Sequence, residues 1–206
     1  MCFQFSILYT CYLAHFGVFP RKYLVMAGIE AKFQQNPPLG THKLFLGAHI
    51  CLRILTVTAT LTAAWMMITS KQTVEVYGIQ VEAKYSYSSA FKFFSYANAI
   101  ACGCSVLTLF PAFSLFYRGS TPMKFFFLFL HDLCMMSLVL AGCAAATAIG
   151  YVGRYGNNHA GWMAICDQFD EYCNRIRLSL MFSYLAFVFI LMLTIMSANK
   201  SREIRV

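Results

Sequence analysis

The chain has 206 residues, 59% of them hydrophobic and only 12% charged, with a mean hydropathy of +0.60. A water-soluble domain of this size leaves too much of its chain wet to hide that much apolar surface, so the composition excludes a soluble globule, a disordered tail and a collagen-like chain. Nine cysteines, mostly in apolar runs, exclude a disulfide-built miniprotein, and the net charge of +8 has no soluble basic surface on which to bind nucleic acid.

Residues 2–19 are apolar, yet they include Gln4 and His15, and no basic residue precedes them as a signal peptide requires. A short fifth span there would move the amino terminus outside the cell; the preferred expectation is that the natural chain begins at Met26. Residues 1–43 read as a cytosolic amino-terminal segment, ending in the flexible lead-in Asn36-Pro37-Pro38-Leu39-Gly40.

A helix needs about 20 mainly apolar residues to cross the hydrocarbon core. Four stretches qualify, at 44–68, 93–116, 125–149 and 178–196, bracketed by Lys43 and Lys71, Lys92 and Arg118, Lys124 and Arg154, and Arg177 and Lys200. The predicted fold is an all-α membrane protein, a four-transmembrane-helix bundle over 44–196. Outer loops at 69–92 and 150–177 alternate with a tight inner turn, Tyr117 to Lys124, and residues 197–206 form a cytosolic tail. With both termini in the cytosol, the inner flanks hold nine Lys and Arg against six in the outer loops, the expected positive-inside bias.

Two ionised side chains fall deep within the spans, Arg53 in the first and Asp132 in the third. At 1.5 Å per residue they lie roughly 15 and 12 Å past Lys43 and Lys124, at nearly one level. Each isolated charge costs at least about 2.5–3.5 kcal/mol in the membrane, so a mutual ion pair locking the two helices is expected. The alternative is a proton or ion relay in a small transporter or channel subunit, since intramembrane charges often mark such paths. His131 adjoins Asp132, but successive helical residues point in different directions, so no dyad is expected there.

Helical spacing places His49, Thr56, Thr60 and Ala64 near the Arg53 meridian, and Gly142, Ala146 and Gly150 form a small-residue series for close helix packing. The second span carries Ala97, Ala101 and Ser105 at the same spacing. The fourth span, with Phe182, Phe187 and Phe189, reads as the lipid-facing or self-associating helix, with ordinary packing inside one protomer as the alternative, and spans one to three read as the packed bundle. Trp65, Trp162, Tyr77, Tyr85, Tyr87, Tyr96 and Tyr151 fit interfacial anchors.

Cys166 and Cys173 are the only cysteines in a predicted outer loop, where disulfides persist, so a bridge is expected between them, closing an acidic loop with Asp167, Asp170 and Glu171. The cysteines of the spans act as small apolar residues, and Cys102-Gly103-Cys104 lacks metal-site spacing. No phosphate loop, zinc motif or nucleophile elbow occurs, so no catalytic residue, metal or cofactor is assigned. The glycosylation sequon at Asn199 falls on the cytosolic side, where it stays unmodified.

Several segments taken together resemble the plant CASP-like proteins, relatives of the Casparian strip membrane domain proteins and, more distantly, of MARVEL tetraspans. They are Leu52-Arg53, Leu61-Thr62-Ala63-Ala64-Trp65, Tyr85-Ser86-Tyr87-Ser88-Ser89-Ala90-Phe91, Tyr96-Ala97-Asn98-Ala99, Asp132-Leu133, Ala141-Gly142-Cys143, and Gly156-Asn157-Asn158-His159-Ala160-Gly161-Trp162 before Cys166-Asp167. The resemblance covers about residues 42–200. The first outer loop is similar to the class 1 branch and lacks the short Phe-rich signature of strip-forming members. The resemblance implies a plasma-membrane tetraspan with an Arg in span one and an Asp in span three. It also implies a scaffold that forms homo-oligomers, or hetero-oligomers with related membrane proteins, and that positions wall-modifying enzymes outside the cell.

Overall fold

The computed structural model describes residues 39–76, 78–118 and 122–203. The expected start at Met26 and the tip of the inner turn lie outside them. The chain separates into a short unit ending at Ala48 and a larger one from His49 onward. Of the first unit, the described residues are the opening turns of the first helix.

Among the described residues four long helices carry the fold: α1 (Leu39–Ile68), α2 (Ser89–Arg118), α3 (Pro122–Tyr155) and α4 (Asp170–Glu203). All four are long and apolar enough to cross a membrane. Their side chains divide by face. Small and polar residues turn inward, among them Ala63, Ala97, Ala101 and Ala146, while Ile54, Leu61, Leu107, Phe110 and Leu185 stay exposed on the outside of the bundle. That inversion of soluble patterning is what a lipid solvent demands: backbone bonds close within each helix, and small residues let helices approach.

To these helices the structure adds an antiparallel hairpin, β1 (Lys71–Val76) and β2 (Ile79–Lys84), in register from Lys71 opposite Lys84 to Val76 opposite Ile79. Gly78, at φ 78°, supplies the left-handed position that a two-residue hairpin turn needs. The first outer loop is therefore ordered rather than a simple linker.

The helices also outrun the apolar stretches. α2 starts four residues before position 93, α3 runs six beyond 149, and α4 starts eight before 178. Hydropathy measures the hydrocarbon slab, whereas a helix continues into the aqueous margin wherever its ends are satisfied. For α4 the satisfaction is visible: Asp170 and Glu171 occupy the first turn, where negative charge suits the helix dipole, and the Gln72 side chain of β1 accepts a bond from the Tyr172 N–H at 2.9 Å.

α3 and α4 pack most extensively, followed by α2 and α3. This corrects the placing of the fourth span outside a three-helix bundle. Its phenylalanines are conspicuous in the sequence, but Ser179, Ser183, Ala186, Ile190, Leu193 and Ser197 recur every three or four residues and are buried. A seam of that spacing with small members packs a helix inward whatever its other face carries.

Candidate functional site

Arg53 and Asp132 are nearly inaccessible, with side chains 1% and 3% exposed. One guanidinium nitrogen, Nη2, donates to both carboxylate oxygens at 2.9 and 2.8 Å, and Nη1 donates to Thr108 Oγ1 at 2.5 Å. The single arginine thus joins α1 to α2 and α3. Thr108 was not singled out in the sequence, although a hydroxyl at the depth of a buried charge is a ready partner. Among the described residues, Nε of Arg53 has no hydrogen-bond partner.

His131 Nδ1 lies 3.3 Å from Asp132 Oδ1, which corrects the expectation that the two would point apart. The rotatable bonds of the side chains bring the groups together where the Cα directions alone do not. His49, one turn before Arg53, approaches Ser197 Oγ of α4 at 3.3 Å. Thr56 and Thr60, on the same face, turn their hydroxyls back onto the helix's own carbonyls.

A second polar node was not legible as such. Ser183 Oγ of α4 donates to Asn98 Oδ1 of α2 at 2.8 Å and receives the Cys143 thiol of α3 at 3.1 Å, while Asn98 Nδ2 donates to the carbonyl of Phe94. Ser179 Oγ donates to the Ala63 carbonyl of α1 at 2.7 Å. The signal available was the repeating serine of the fourth span.

The small-residue series on α3 divides. Gly142 is a true close approach: an added Cβ would stand 3.2 Å from Ala97 Cβ and 3.4 Å from Phe94 Cα. Ala146 is fully buried. Gly150 is not part of the seam, because an added Cβ there meets nothing within 4 Å. At that height α3 borders a groove instead of a helix.

At the end of the bundle bearing the hairpin, Cys166 and Cys173 are bridged, Cα to Cα 5.7 Å, tying the second outer loop to the first turn of α4. The loop is folded tightly on itself. Asn157 and Trp162 exchange both backbone bonds, Asn157 Oδ1 accepts from the N–H groups of His159 and Ala160, and Ile165 N–H returns to the Gly153 carbonyl of α3. Gly156, at φ 69°, has the Trp162 carbonyl 2.7 Å from where its Cβ would sit, so only glycine fits. The segment 156–162 owes its composition to this turn.

Beside the loop lies a groove of about 900 Å³, lined by β2, the start of α2, the last turns of α3 and the first turns of α4. Trp162, Tyr87, Tyr151 and Tyr155 are exposed around it. Among the described residues no group of three or more His, Cys, Asp or Glu could hold a metal ion.

The family model described as Casparian strip membrane protein domain matches residues 42–189. CASP-like protein 1F1 of Ricinus communis is 57% identical over 181 residues, covering 88% of this chain and 100% of its own length. CASP-like protein 1F2 of Populus trichocarpa is 51% identical over the same shares, and CASP-like protein 1F1 of Arabidopsis thaliana is 39% identical over 79% of this chain and 94% of its own. No solved structure matches. A tetraspan helical frame, an Arg–Asp pair within it and a family match over most of the chain place this protein in the Casparian strip membrane protein domain family, among the CASP-like proteins.

Proposed function

We propose that the protein is a non-catalytic scaffold of the plasma membrane that self-associates or pairs with related tetraspans, and whose hairpin end faces the wall and docks partners there, wall-modifying enzymes being one class. The observation that carries this reading is the closure of the intramembrane charges. Arg53 and Asp132 engage each other, Thr108 and His131, and both are nearly inaccessible. Charges so engaged hold a bundle together, whereas a transport path needs groups that alternate between partners and a wet route. The outward faces are mainly apolar, with Ile54, Leu61, Leu107, Phe110 and Leu185 exposed, and lipid or further copies pack against them.

Charge reversal tests the reading. Arg53→Asp and Asp132→Arg are each expected to abolish surface delivery and co-purification of differently tagged copies, and the combined reversal to restore both. Ion flux in reconstituted vesicles, present in the wild type and lost in Asp132→Asn, would overturn the scaffold in favour of a transporter or channel subunit.

A further inference from the structure

The groove at the hairpin end has a shape and charge that the scaffold reading does not use. Its floor is apolar, formed by Phe91, Ile149, Phe169, Tyr172, Ile176 and Leu180. At about 900 Å³ it lies toward the upper end of single-ligand sites, which run from roughly 300 to 1,000 Å³. Two glycines of α3 line it, Gly150 and Gly153, and an added Cβ at either meets no atom within 4 Å. Side chains there would project into the hollow, so their absence keeps it open.

A smaller polar cavity of about 270 Å³ adjoins the groove, lined by Arg154, Asp170, Asn174 and Arg177, and the two arginines line both spaces. Neither arginine is ion-paired among the described residues, Arg177 donating only to Asn174 Oδ1 at 2.7 Å. The other charges at the groove, Glu82 and Lys84, neutralise each other at 2.8 Å. Two guanidiniums beside one carboxylate leave a single net positive charge. That suits a phosphodiester, with its one negative charge, better than a phosphomonoester, which carries a second charge near neutral pH. The exposed ring of Tyr87, Tyr151, Tyr155 and Trp162 sets the level: this is an aromatic belt, where acyl chains give way to headgroups.

We propose that the groove holds one membrane glycerophospholipid, its acyl chains on the apolar floor and its phosphodiester between Arg154 and Arg177. The lipid is a bound component rather than part of the annulus, because oil and phosphate sites are adjacent and built from one set of residues. Planar guanidiniums suit the phosphate oxygens, and their bonds to it are charge-assisted.

The full-length protein in phosphatidylcholine vesicles, doped with a phosphatidylcholine bearing a diazirine on its acyl chain, tests this. Photolysis is expected to label peptides within 147–180 well above those around Leu107 and Phe110 on the lipid face. Arg154→Gln with Arg177→Gln should lower groove labelling at least about tenfold, as loss of a charge-assisted bond implies, and leave labelling around Leu107 unchanged, which also reports an intact bundle. Gly150→Leu should lower groove labelling by occupying the space, and a diazirine diacylglycerol, lacking phosphate, should label the groove weakly and indifferently to the arginines. Inorganic phosphate should not displace the probe. Equal labelling of groove and lipid face, labelling unchanged in both variants, displacement by inorganic phosphate, or crosslinks joining two copies through 147–180 would each overturn the proposal.

Discussion

The interior of the bundle and its hairpin end are assembled on opposite principles. Inside, the strong polar groups meet across helices: Arg53 with Asp132 and Thr108, Ser183 with Asn98 and Cys143, Ser179 with the Ala63 carbonyl. At the hairpin end, covalent and backbone links hold the shape, and an apolar hollow stands beside two arginines that form no ion pair among the described residues. In hydrocarbon a polar group without a partner has no water to fall back on, so matching is strongly favoured, and of the Arg53 guanidinium nitrogens it is Nε that lacks a partner among the described residues. At the aqueous margin an unmatched charge is solvated, which leaves it free for a ligand. Closed polar nodes therefore read as structure, and the open end reads as a place where something binds.

The largest effect is expected at the ion pair. Arg53→Leu or Asp132→Leu alone leaves a buried charge without its partner and should destabilise the folded protein by about 3–5 kcal/mol, while the double apolar replacement should recover most of that loss. Unfolding by graded denaturing detergent would show it, and a double variant as weak as the singles would mean that the pair does more than balance charge. At the other end, Cys166→Ser with Cys173→Ser should cost roughly 2–3 kcal/mol on loop-closure grounds. The loss should be local: hydrogen exchange should rise through 156–176 and stay unchanged around Asn98 and Ser183.

A matched pair of substitutions on one helix sharpens the contrast further. Gly142→Leu forces side-chain atoms into Ala97 and Phe94 and should cost about 1–3 kcal/mol, whereas Gly150→Leu enters open space and, in lipid-free detergent, should leave the melting temperature unchanged or slightly raised. Equal losses at both positions would show that the groove is filled by protein.

The smallest effect belongs to the surface. The hydrogen bond that Lys84 donates to Glu82 raises the pKa of Lys84 above the ordinary lysine value. Its contribution is therefore fully present below that ordinary value and fades as pH rises through the raised one. Both groups are solvent-exposed, so Glu82→Gln should leave the melting temperature unchanged at neutral pH.

Legibility in the sequence followed how directly each feature depends on local composition. Four spans are readable because oil excludes charge over a fixed thickness, and that length is written in consecutive residues. Arg53 and Asp132 stood out because each is costly alone and their depths can be counted along the chain. The Ser183 node was hidden: its members are ordinary residues whose meaning comes only from the rotation of α4 against α2 and α3. The hairpin was hidden too, since residues 70–92 look like a polar loop until the pairing of Lys71–Val76 with Ile79–Lys84 is drawn.

By itself, the amino-acid sequence determined that the protein lives in a membrane, where the four described spans lie, which charges had to find partners there and which family it joins. The tertiary structure alone decided that α4 packs inward on its serines, that Gly142 touches a neighbour while Gly150 faces a void, and that Arg154 and Arg177 share one hollow. The reason is physical: transfer of a segment into oil is close to a sum over its residues, whereas the pairing of faces depends on rotations between helices that no single segment encodes.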